Sequence, residues 1–417
     1  MESNRFTAAL IWFCVTLFYC YQYILRPLPN ILMPSIMAKY GIGADDFGSL
    51  GVYYIGYAGA HIPVGILLNR FGAKTILPFG IVCTALGLIP LIYSDSWSGV
   101  ILGRVLTGAG SAVSALGALQ IFRILFHATF ARMIGIMVSL GLLTVVYTTP
   151  PITQIVETIG MKSTANILLY SGIGLAFITY FLMPKSLEEA SHTDIWTDIK
   201  AVICNYRLLS VSILGGLMVG PLEGFADAWG SAFLMAVYSL TKMTADYTIA
   251  SISLGMCVGC IVLPYISDKT RMHFGVTMLS GFVMLICFIH MLTGDATVNS
   301  LYYACFIVGI FSAYQIVIIP KIVTFVSEER SGLAGSVANM IIMTFGLLFH
   351  KSIGVSLNVL DNGGSTVSGI KTYSSYAYTA SVSIIPIAIA IALVGFILMV
   401  MVNLAHARII ARKNSTI

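Results

Sequence analysis

The sequence predicts an all-α membrane protein with twelve transmembrane helices in two six-helix, pseudo-symmetric halves. Three observations carry that prediction: a composition too apolar for water, twelve apolar runs of crossing length, and a turn that recurs half a chain later. Of 417 residues, 58% are hydrophobic and 9% charged, at a mean hydropathy of +0.93, whereas soluble domains carry about 25% charged residues. Charge this sparse cannot coat a water-exposed body, which excludes a cytosolic enzyme, a secreted domain and a disordered chain. The net charge of +5 comes from scattered basic residues, without the dense Lys/Arg run that a nucleic-acid face needs. The eight Cys fall mostly in apolar runs, and the C-x-x-C of Cys257 and Cys260 lies at lipid depth. Thiols there act as small hydrophobes, so neither a metal nor a cofactor is expected.

A helix needs about 20 apolar residues to cross the hydrocarbon core. In chain order, such runs occupy roughly 7–27, 46–68, 75–93, 98–122, 132–155, 164–184, 208–237, 245–266, 274–293, 298–325, 332–357 and 376–405. The first is too long for a cleaved leader, and Tyr19, Tyr21 and Tyr23 stand where a small-residue cleavage site would be. Basic residues gather on one set of turns, from Arg70 and Lys74 to Arg412 and Lys413, leaving Lys39, Lys162, Lys242 and Lys371 on the other. Cytoplasmic loops hold the excess of Lys and Arg, so both termini are expected in the cytoplasm. The long polar stretch 185–207 separates an N-terminal half, 1–184, from a C-terminal half, 208–417. Within it, Ile195, Trp196 and Ile199 have the spacing of a short helix lying along the membrane interface. The Gly/Ser-rich run 361–375 is expected to be a flexible outer loop.

The repeated turn reads Gly65-Ile-Leu-Leu-Asn69-Arg70-Phe-Gly72-Ala-Lys74 after the second run, and Pro264-Tyr-Ile-Ser-Asp268-Lys269-Thr-Arg271 after the eighth. Asn69 and Asp268 are 199 residues apart. Parallel six-helix repeats of this kind occur in one large transporter architecture. The first turn resembles the G-x-L-x-D-R-x-G-R-K loop of the major facilitator superfamily, and the second resembles its weaker copy. Gly103-Arg104-Val-Leu-Thr-Gly108-Ala-Gly110 is similar to that family's R-x-x-x-G-x-G on the fourth span. The resemblance covers essentially the whole chain. It implies alternating access and assigns Gly65, Asn69, Arg70, Gly72, Lys74, Asp268, Lys269 and Arg271 to an inner gate. Asn69 departs from the usual Asp, so Asp268 is expected to carry more of the gate's charge.

Within the superfamily, Tyr21-Gln22-Tyr23-Ile-Leu-Arg26-Pro27 resembles the first helix of anion and carboxylate symporters. Gly117-Ala-Leu-Gln120-Ile-Phe-Arg123 is similar to a stretch of bacterial members and, more distantly, of the lysosomal dipeptide transporter branch. These likenesses imply a bacterial inner membrane. Drug antiporters carry a G-P with further glycines on span five, whereas this chain has Gly135, Gly141 and Pro150-Pro151, so export is the less expected use.

An ionisable group at membrane depth is costly and marks a candidate site. Glu223 and Asp227 stand four residues apart in the seventh span, among Pro221 and several glycines that loosen the backbone. That spacing puts both carboxyls on one helix face, where one shared proton is cheaper than two bare charges. They are the candidate proton-coupling pair. Arg26 is the candidate fixed cation for an anionic solute, or a side chain reaching for the outer interface beside Pro27. Arg104 reads equally as a substrate contact and as a brace for backbone carbonyls near Gly108 and Gly110. His350 and Lys351 are adjacent in span eleven, so at most one faces the cavity. Gln22, Tyr23, Trp229, Gln315 and Lys351 complete the candidate solute site; His61 and Lys321 carry little weight.

The expected activity is therefore proton-coupled transport of a small anionic or zwitterionic solute, such as an organic anion, phosphate ester, amino acid or dipeptide. The partners are solute, protons and bilayer, acting on a monomer. An efflux antiporter and a transporter-like sensor are the alternatives. No catalytic signature such as H-E-x-x-H, G-x-S-x-G or a Walker loop is present, and an enzyme is not expected.

Overall fold

The computed structural model describes residues 5–126, 130–184, 200–327, 330–361, 365–367 and 370–414. Eleven helices are long and apolar enough to cross a membrane, and one of them, Met133–Leu182, has 50 residues. At 1.5 Å per residue that helix is more than twice as long as a bilayer core is thick. It is broken at Gly160, whose φ of 82° an L side chain rarely adopts. Its segments 130–159 and 161–182 are spans five and six, which gives twelve crossings among the described residues. The loop residues 185–199, with Ile195, Trp196 and Ile199, lie outside the described residues.

Span one, Arg5–Leu25, stops at Arg26-Pro27, and a second helix, Leu28–Tyr40, carries the chain onward. Pro27 has no N–H to continue the ladder, so the break falls where the sequence places the cation. Span two begins at Val52 and ends at Gly72, whose φ is 73°. Its counterpart after span eight, Lys242–Thr270, ends at Arg271 with φ 55°. The repeated turn thus reverses sign of φ at matching positions of the two halves. Packing repeats as well. A Cβ on Gly108 of span four would overlap the Tyr53 carbonyl of span two, and one on Gly309 of span ten would overlap the Ile252 carbonyl of span eight. In lipid, where helices gain nothing by hiding apolar surface from one another, such close backbone approach holds the pairs together.

The loop after span eleven differs from the sequence reading. β1 (Ser365–Val367) pairs antiparallel with β2 (Ile370–Thr372), two short runs rich in the β-branched residues Thr366, Val367, Ile370 and Thr372, which favour extended backbone. Asp361 accepts the Ser374 hydroxyl at 2.8 Å and closes the base of the loop. Beside it, Tyr373 donates to Asn358 Oδ1 at 2.7 Å and accepts the Ala44 N–H at 2.6 Å. Burial pushes the Tyr373 phenol up, which keeps it a donor.

That last bond joins the two halves at the end of the molecule opposite the termini, here called the far side. Other contacts gather there: Lys351 with Asp45 at 2.5 Å, and Lys242 Nζ with the Asn30 carbonyl at 3.3 Å. A Cβ on Gly354 would overlap the Ala44 carbonyl. On the termini side Arg70, Asp268, Lys269 and Arg271 are exposed, and among the described residues no ion pair joins them. Among the described residues, these pairings latch the far side and none of them joins the halves on the termini side.

Candidate functional site

The seventh span explains itself from its composition. Tyr206–Leu217 is regular, but Gly220–Trp229 winds as a π-helix before Gly230–Tyr238 resumes the α form. Pro221 and Gly224 weaken the regular i→i−4 ladder, and wider turns of this kind recur at functional sites. Glu223 and Asp227 both fall in this segment, 0% and 6% exposed.

Two residues of the first half meet them. Arg26, at the break after span one, brings Nε to 2.8 Å from Asp227 Oδ2 and Nη1 to 3.6 Å from Glu223 Oε2. The closer contact is poorly aligned for a hydrogen bond, and Glu223 Oε1 is buried without a hydrogen-bond partner. Tyr54 of span two places its hydroxyl between the carboxyls, against Glu223 Oε2 and 2.5 Å from Asp227 Oδ2. One guanidinium and one phenol from the first half therefore hold two acids from the second.

Span eleven supports the π segment from behind. His350 Nε2 lies 2.7 Å from the Glu223 backbone oxygen, and Trp229 Nε1 donates to the His350 carbonyl at 3.2 Å. The imidazole thus donates through Nε2, and its Nδ1 is buried without a partner. Trp229 also meets the edge of Phe47 from the first half, 5.3 Å between centroids. Around Arg26, the Tyr23 ring lies 4.8 Å beneath the guanidinium. A small cavity, about 20 Å³, is lined by Gln22, Tyr23, Arg26, Tyr53, Tyr54, Tyr57 and Met343. Gln22 accepts the Tyr53 hydroxyl at 3.2 Å.

The sequence-expected residues therefore divide. Arg26, Tyr23, Gln22, Glu223, Asp227 and Trp229 converge on this centre. Arg104 donates to the carbonyls of Leu25 at 3.0 Å and Arg26 at 3.1 Å and approaches that of Leu50 at 3.5 Å. It braces the break that aims Arg26, rather than the carbonyls near Gly108 and Gly110. Lys351 sits on the far-side rim with Asp45, and its neighbour His350 points inward, as adjacent helical positions require. Gln315 is buried in span ten, and its Nε2 has no hydrogen-bond partner. Of the residues expected at the gate, Gly65 has open space on its Cβ side, and Lys74 lies over the Tyr180 ring at 5.7 Å. The Asn69 side chain is not among those described. His61 bonds the Tyr57 carbonyl one turn back, a packing role.

Sequence reasoning missed Tyr54 and Asp246. Tyr54 was one more aromatic in a span rich in them. Asp246 is 0% exposed and joins three helices, receiving the Thr153 hydroxyl at 2.6 Å, the Ser231 hydroxyl at 2.5 Å and the Lys242 ammonium at 2.9 Å. The i,i+4 spacing of Lys242 and Asp246 was its only signal, and at a helix start that spacing reads as a solvated pair.

The model of the family described as the Major Facilitator Superfamily matches residues 11–349. An uncharacterized transporter of Buchnera aphidicola subsp. Schizaphis graminum is 31% identical over 183 residues, 42% of this chain and 46% of that one. The inner membrane transport protein YajR of Escherichia coli is 35% identical over 101 residues, 23% and 22% of the two chains. The matches to these relatives span less than half of their lengths. The chloramphenicol resistance protein CraA of Acinetobacter baumannii is 23% identical over 82% of this chain and 84% of its own. Two solved structures share the fold at 15% identity. A bacterial homolog of the human lysosomal transporter Spinster, inward-facing and occupied, has a TM-score of 0.74 over 94% of this chain and 96% of its own. The nucleoside transporter NupG has a TM-score of 0.71 over 93% and 98%.

Proposed function

Because the chain belongs to the major facilitator superfamily, we propose that it is a proton-coupled secondary transporter for a small anionic or zwitterionic solute. The observation that carries this reading is Arg26 of one half held by Glu223 and Asp227 of the other, with Tyr54 between them. A phenol has one hydrogen to give, yet the Tyr54 oxygen lies in bonding range of two carboxyl oxygens. A second proton, on one of the acids, satisfies both contacts. Protonation also loosens the acids' hold on Arg26, the cation that a solute carboxylate or phosphate would engage bidentately. Proton and anion then bind together and the two halves part around them. With the termini cytoplasmic, as the basic turns suggest, the latched far side makes this the inward-facing arrangement.

The test begins with a melting-temperature screen of purified protein against carboxylates, phosphate esters, amino acids and dipeptides, since a ligand of the native state stabilises it. The solute found is then followed in proteoliposomes. Glu223→Gln and Asp227→Asn imitate the protonated acids. At least one should retain solute exchange yet fail to accumulate solute when a proton gradient is imposed. Accumulation like the parent's in both variants would remove this centre from coupling. Proton flow opposite to solute flow would turn the reading into efflux, the use that the CraA likeness suggests.

A further inference from the structure

Above the charge centre, on the far side, lies a cleft of about 370 Å³ that the transport cycle just described does not use. We propose that this cleft is a binding site for an uncharged, mainly apolar molecule that carries one hydroxyl or amide. It is separate from the Arg26 centre and holds the far side closed when filled.

The volume falls within the range of small-molecule sites. Its walls come from both halves: Met33 and Met37 on Leu28–Tyr40, Met235 on Gly230–Tyr238, and Tyr373 beside the hairpin. Three unbranched thioethers make a lining that repacks around different apolar shapes. Besides the hydroxyl-bearing Thr372, Tyr373 and Tyr378, its polar lining is Asn30 and Lys242, which meet at one end. The Lys242 ammonium is already neutralised by Asp246 at 2.9 Å, so this end offers no net charge to an anion. Asn30 is 3% exposed, and its Oδ1 is buried without a hydrogen-bond partner. A half-turn of that amide presents either its acceptor or its donor to a guest. Lys242 spends one N–H on Asp246 and one on the Asn30 carbonyl, leaving a third. A hydroxyl or amide both gives and takes a hydrogen, and so meets both residues. A permanent charge would have no counter-ion there.

Since Met33 and Met235 belong to opposite halves, the cleft exists only while the far side is shut. A molecule that binds one arrangement alone shifts the population toward it.

The site can be tested without knowing the transported solute, so its failure is distinguishable from failure of the transport reading. Purified full-length protein is titrated with 1-naphthol and with 1-methoxynaphthalene, which has the same rings but no hydrogen to donate, and melting is recorded. The naphthol should raise the melting temperature and bind about fivefold more tightly than the ether, the effect of one hydrogen bond. Asn30→Leu should erase the preference between the two. Ala236→Trp or Met33→Trp, either of which fills the cleft, should abolish the shift. Equal binding of both probes to the parent overturns the proposal. So does a naphthol shift that persists in both filled variants, which would mean partition into the detergent shell.

Discussion

Among the described residues, two buried acid centres are neutralised in opposite ways. Glu223 and Asp227 depend on Arg26, which belongs to the other half of the protein. Asp246 has its cation on its own helix, one turn away at Lys242, and the other half contributes the Thr153 hydroxyl and the Asn30 carbonyl. When the halves part, the first centre loses its counter-charge and must take up a proton or a new partner. The second loses neutral hydrogen bonds and remains an ion pair. A centre whose charge balance changes with conformation can couple transport to protons. One whose balance is carried within a single helix can only latch.

The largest effect should follow from taking the shared cation away. Arg26→Leu strands two carboxyls in a buried site, and breaking one side of such a pair costs about 3–5 kcal/mol. Proton-driven uptake should vanish, and the purified variant should melt well below the parent at pH 8. The gap should narrow as the pH falls, because protonated carboxyls need no cation, so the missing Arg26 matters only while they are ionised. A variant that melts like the parent at pH 8 would show that Arg26 does not neutralise this centre.

Removing the second charge should do less. Asp246→Asn retains hydrogen-bonding atoms for Ser231 and Thr153, and Lys242, 16% exposed, can extend toward water on its flexible stem. About 1–2 kcal/mol of stability should be lost, and a far side that opens more readily should leave proton-driven accumulation intact. A folded Asp246→Asn protein that binds solute but no longer concentrates it would give Asp246 a coupling role and collapse the distinction.

What the sequence disclosed follows the same division. Twelve crossings, the matched turns and the Glu223–Asp227 pair were legible because lipid punishes charge and loop alike, so each exception to apolarity carries information. Arg26 stood out for that reason. The partner of each charge was not legible. Tyr54 meets the acids from more than 160 residues away in the chain, and no local pattern separates it from Tyr53 or Tyr57. Arg104 illustrates the limit: a cation in a span is visible, but whether it grips a solute or the carbonyls of Leu25 and Arg26 depends on where span one breaks. The strand pair 365–367 and 370–372 was hidden by glycines and serines that usually mark a loose loop.

The smallest effect concerns a residue that the sequence placed among the solute contacts. Lys351 pairs with Asp45 on the far-side rim, where the two side chains are 45% and 38% exposed. Water and salt screen such a pair, and exposed ion pairs contribute about 0–1 kcal/mol. Lys351→Met should therefore leave melting nearly unchanged, and the small loss should fade at molar salt, where the Debye length falls to about 3 Å. Its effect on solute affinity separates the rim from the centre. A contact made only at the rim predicts affinity within about twofold of the parent, well under the tenfold that 1.4 kcal/mol represents. A tenfold weaker solute titration, with melting unaltered, would mean that Lys351 leaves Asp45 and grips the solute once the far side opens. The rim would then belong to the binding pathway, and the neutral cleft beside Lys242 would sit between two solute-contacting cations.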